Sequence, residues 1–84
     1  MRQAQTDTNR KGMTPTQCKM ARVGLAWSAD QLSEKCGISR ITIARFESGQ
    51  PVAVASVNAI LAALEAAGAD FTQSAGKVGV TVPE

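Results

Sequence analysis

A mainly α domain, four short helices followed by a C-terminal β-hairpin, is the fold this 84-residue sequence predicts. Three features of the chain point there. Two helix starts are written as capping boxes, Thr14-Pro15-Thr16-Gln17 and Ser28-Ala29-Asp30-Gln31. In such a box the hydroxyl and the glutamine three residues later satisfy each other's orphan backbone groups. Val57, Ile60, Leu61 and Leu64 fall at i, i+3, i+4 and i+7, one apolar stripe of a longer helix. Val78, Val80 and Val82 then alternate with Gly79 and Thr81 at the period of a strand.

Each element has a local reason. Pro15 suits the first position of a helix, where its missing N–H costs nothing. Cys18, Ala21 and Leu25 give that helix an inward stripe, with Arg22 beside it, and Trp27 is expected to close the core where the first helix turns into the second. In the second helix Leu32 and Cys36, four apart, form one apolar edge. Gly37 stops it, being able to take a positive φ without a Cβ penalty. Ser39 caps the third helix, and Gly49 and Pro51 close it. At 100° per residue, Ile43, Phe46 and Glu47 lie on one side of this helix. Arg40, Ile41, Ala44 and Arg45 lie on the other, a basic face that no core requires. The fourth helix ends at Ala67-Gly68, and Ala55, Ala59, Ala62 and Ala66 line its far side. That smooth row is either inexpensive helical surface or a place where another helix comes close. Phe71 begins an extended segment, and Ser74-Ala75-Gly76-Lys77 supplies the turn into the valine strand.

Charge is unevenly spread. Residues 1–45 hold eight Lys/Arg against three Asp/Glu, whereas residues 46–84 hold one against four. A basic first half suits a polyanionic partner. Residues 1–12 have no apolar periodicity and read as a flexible N-terminal arm, in which Arg10 and Lys11 are candidate contacts to such a polyanion. The two cysteines stand eighteen apart without a CxxC pair, and there is no histidine, so zinc spacings and histidine catalysis are excluded. Buried free thiols in a reducing cytoplasm are the expectation. No apolar run reaches the ~20 residues of a membrane span. With no tyrosine either, no phosphate-cradling glycine loop and no paired carboxylates near a nucleophile, neither an enzyme nor a cofactor is expected.

Leu32, Gly37, Ile38, Ser39, Thr42, Ile43, Phe46, Glu47 and Gly49 together resemble the helix-turn-helix of the phage repressor and Cro (XRE-like) family, over about residues 16–67. The resemblance implies a lambda-repressor-like DNA-binding domain over residues 13–68, preceded by the arm at 1–12 and followed by a hairpin tail at 69–84. It implies that the helix at 39–48 enters the major groove of double-stranded DNA, with Arg40, Ile41, Ala44 and Arg45 over the bases. Ser28, Ala29, Ser39, Thr42 and Lys35 would then face phosphates. Relatives often carry glutamine where this chain has Ala29, which implies a weaker anchor there. The family also implies an Arg22–Glu47 bridge, a structural rather than a catalytic feature. Function follows as a transcriptional regulator, a repressor, acting as a homodimer on a palindromic operator. Many relatives have a fifth helix where this chain has its hairpin, so a dimer interface borrowed from them does not carry over. The edge that an isolated hairpin leaves unpaired makes the tail the expected dimerisation element, and the alanine face of the fourth helix is the other candidate. The alternative is an antitoxin that binds a toxin and autoregulates through its helix-turn-helix.

Overall fold

The computed structural model describes residues 12–84. Helices α1 (Pro15–Gly24), α2 (Ala29–Cys36), α3 (Arg40–Glu47) and α4 (Val54–Ala66) precede the antiparallel strands β1 (Asp70–Ser74) and β2 (Lys77–Thr81). The order is the expected one, and β1 begins at Asp70, one residue ahead of Phe71. Arg10 and Lys11 lie outside the described residues.

Helix ends are fixed by short-range chemistry. Both capping boxes form: Thr14 Oγ1 accepts from the Gln17 N–H at 3.1 Å, and Ser28 Oγ accepts from the Gln31 N–H at 3.0 Å. Ser39 Oγ accepts from the Thr42 N–H at 3.2 Å. Only α4 among the four begins without a side-chain cap, at Ala53. Three helices end in Schellman turns, with paired backbone bonds from the two residues after the C-cap. These are Ala26 to Val23 and Trp27 to Arg22 after α1, Gly49 to Phe46 and Gln50 to Arg45 after α3, and Gly68 to Glu65 and Ala69 to Leu64 after α4. The turn needs a left-handed residue, and Gly49 (φ 90°) and Gly68 (φ 98°) supply it freely. Ala26 adopts φ 62° at the same place, where its Cβ is crowded.

Cys18, Ala21, Leu32, Ile43, Ile60 and Leu64 are wholly buried, and Met13, Phe46 and Ala69 close the core around them. Each Leu or Ile so buried contributes roughly 1.5–3 kcal/mol. Trp27 packs against this core, as expected. Leu25 is only half-buried, because α1 stops at Gly24 and Leu25 is its C-cap rather than a further turn of the stripe. Phe71, Val80 and Val82 of the tail join the same core.

Two contacts seat the hairpin. Gly24 lies so close to the residue that follows β2 that a Cβ there would stand 3.1 Å from the Val82 side chain. Gln17, wholly buried in α1, uses all four hydrogen-bonding sites of its amide. Its Nε2 donates to the carbonyls of Thr72 (2.8 Å) and Gly79 (3.0 Å), while its Oε1 accepts from the Thr14 N–H and from Gln73 Nε2. One side chain thus caps its own helix and clamps both strands. The strands are joined by the two-residue turn Ala75-Gly76, with φ of 52° and 76°, a type I′ geometry that matches the twist of a hairpin.

Candidate nucleic-acid interface

The third helix divides as its 100° periodicity predicts. Ile43 and Phe46 are buried and Glu47 is nearly so, whereas Arg40, Ile41, Ala44 and Arg45 are exposed. Ile41 keeps 65% of its surface in contact with solvent, an apolar side chain standing between two cations. The connector that sets this face is only Gly37, Ile38 and Ser39 long. Gly37 takes φ 74° and returns its N–H to the Ser33 carbonyl at 2.9 Å, so α2 ends sharply and α3 starts on the Ser39 cap.

Behind the face, Glu47 is the hub. Arg22 Nε and Nη2 donate to its two carboxylate oxygens, each at 2.9 Å, and Arg22 Nη1 donates to the Trp27 carbonyl at 3.1 Å. The two side chains retain only 14% and 10% of their exposure. The hydrogen bonds to Glu47 raise the proton affinity of the guanidinium, so Arg22 stays charged. Cys18 Sγ donates to Glu47 Oε2 at 3.4 Å. Burial first, and the Glu47 carboxylate next, push this thiol well above its ordinary range and keep it protonated. The bridge ties α1 to α3 and so fixes how far the exposed face stands out.

The other expected contacts are distributed unequally. Ser28 and Ser39 are exposed at the N-termini of α2 and α3, and Ala29 and Thr42 are half-buried beside them. The Ser39 hydroxyl is committed within the protein, donating to Thr42 Oγ1 at 3.0 Å, which leaves the Thr42 proton free. Lys35 stands apart from this group. Its ammonium lies 5.3 Å from the centre of the Trp27 ring, in a hollow lined by Ala63 and Ala66 of α4 and by its C-cap Ala67. Two further residues border this face, and the sequence alone does not single them out. Asp30 Oδ1 accepts from Arg40 Nε at 3.0 Å, joining the first turn of α2 to the first residue of α3. Lys19 of α1 lines a shallow depression with Ala44 and Ser48. In Asp30 the only hint was an acid in the first turn, which the helix dipole alone explains.

A model described as Helix-turn-helix, of the XRE-like kind, matches residues 19–71, more than half of the chain. The chain belongs to the XRE-like helix-turn-helix family. A comparison with curated proteins finds no match. Membership makes the protein a DNA-binding regulator, and the matched span takes in α2, α3 and the whole of α4. Among the described residues, no helix of this family member is long and apolar enough to cross a membrane.

Proposed function

We propose that this chain is a cytoplasmic, sequence-specific transcriptional repressor that reads double-stranded DNA with α3 and binds a palindromic operator as a homodimer. The exposed face of α3 supports this reading above all: it offers two guanidinium groups, an isoleucine and a methyl-sized gap at Ala44, and the core uses none of them. Arginine forks onto guanine O6 and N7, and Ile41 packs on a thymine methyl. Asp30 holds Arg40 by Nε and leaves its terminal amino groups to reach the base edge. Ser28, Thr42 and Lys19 would hold phosphates around it. Repression needs no more than occupancy of the site, which the exposed face of α3 supplies.

Selection of bound duplexes from a random pool, run with the wild type and with Arg45→Ala, tests the reading. The wild type should enrich two inverted half-sites about one helical turn (~34 Å) apart. Arg45→Ala should lose about 1–3 kcal/mol on that site and relax one base position. Equal loss on enriched and random DNA would make Arg45 a phosphate contact, and no enrichment at all would sink sequence-specific binding.

A further inference from the structure

We infer that the free edge of β2, together with the adjoining face of α1, is the surface through which two copies of this chain associate. The inference rests on the homodimer reading above and gives it a location.

The register supplies the first part. A two-residue turn makes Ser74–Lys77 a hydrogen-bonded pair, and such pairs alternate with open ones along an antiparallel ladder. Thr72–Gly79 and Asp70–Thr81 are therefore closed pairs, whereas Gln73–Val78 and Phe71–Val80 are open. The N–H and C=O of Val78 and Val80 consequently point away from β1, toward the outside of the hairpin. Among the described residues, none of the hydrogen bonds outside the ladder ends on them. An edge of this kind is a template for another strand.

The second part is the groove beside that edge. Met20, Val23 and Gly24 of α1 and Val80 and Val82 of the tail line a cleft of about 570 Å³, which Thr16, Lys19 and Glu47 complete. Val23 is 59% and Met20 39% exposed, two of the four large apolar side chains left at the surface among the described residues. The cleft takes its tail residues from the β2 side. Along β1, by contrast, Gln73 reaches the Gly12 carbonyl, so the chain entering α1 runs beside that strand.

Charge favours a second copy as the occupant. Lys77 opens β2, and Glu84 lies just past its end, both exposed. Antiparallel pairing of β2 with its twofold mate sets the basic end of each strand beside the acidic end of the other. With the twofold axis perpendicular to the joined sheet, both α1 helices lie on one face, and Met20 and Val23 of the two copies meet over the valines. A strand pair alone is small beside the ~1,200 Å² that stable interfaces bury, so the α1 face belongs to the contact.

The test uses the full chain without DNA, by sedimentation and by amide hydrogen exchange over a range of protein concentrations. The wild type should be a dimer, and protection of the Val78 and Val80 amides should grow with concentration. Val23→Glu, a change at an exposed helical site, should weaken association on the order of a hundredfold with the helical circular dichroism intact. Val54→Glu, the same kind of change at the start of α4, should leave it unaltered. A chain that stays monomeric at every attainable concentration overturns the inference. A dimer indifferent to Val23→Glu, with both amides exchanging freely, overturns it in favour of another surface such as the alanine row of α4. Protection that appears only on adding cell extract assigns the edge to a foreign strand and also overturns it. Since no arm contains DNA, failure here is read separately from failure of DNA binding.

Discussion

The helix-turn-helix and the seam between α1 and the hairpin are held by different kinds of force. From Ser28 to Gly49 nearly every backbone demand is met by a residue suited to it: serine at two N-caps, glutamine closing a box, glycine at two left-handed positions. The seam breaks such rules. Ala26 and Ala75 take left-handed conformations, at φ 62° and 52°, that glycine or asparagine would hold more easily. Compensation comes from far along the chain, through Gln17 to Thr72 and Gly79 and through Gly24 against Val82. The helix-turn-helix is thus locally encoded, while its support is encoded only by contact. A motif whose geometry is set by caps can change its exposed residues without changing its shape.

Three experiments break or sharpen this contrast. The largest effect is expected at the joint between the two regions. Glu47→Ala strips a nearly buried guanidinium of its partner and should cost about 3–5 kcal/mol in urea unfolding. Adding Arg22→Ala should then cost little more, because the stranded charge is gone. Strictly additive losses would mean that the bridge is not a coupled unit. Next comes the seam itself. Gln17→Ala leaves the Thr72 and Gly79 carbonyls without this donor and should cost roughly 1–3 kcal/mol. Amide exchange should accelerate in the hairpin more than in α2 and α3, and uniform acceleration would show that the two regions unfold as one. The smallest effect has the opposite sign. Ala26→Gly removes about 1–2 kcal/mol of left-handed crowding and adds back roughly 0.5–1 kcal/mol of backbone entropy, a net gain of about half a kcal/mol. A thermal midpoint that falls instead of rising would place the reason for Ala26 in its packing rather than in its backbone.

The sequence by itself determined where α1, α2 and α3 start, where α2, α3 and α4 stop, the turn at Gly37, the hairpin turn, and which side of α3 faces out. Those features are settled within one turn of helix or strand, by a hydroxyl three residues from an amide, by a tolerated φ, or by a 100° period. Only the tertiary structure decided that Gln17, legible as half of a capping box, also clamps two strands 55 and 62 residues away. It likewise decided that Asp30 restrains Arg40, that Cys18 donates to Glu47, and that Lys35 rests on Trp27. The Arg22–Glu47 pair belongs between the two, since resemblance to a family suggested it and nothing in its 25-residue separation requires it. A side chain's second partner depends on which elements pack beside it, and packing is a property of the whole core rather than of any window along the chain.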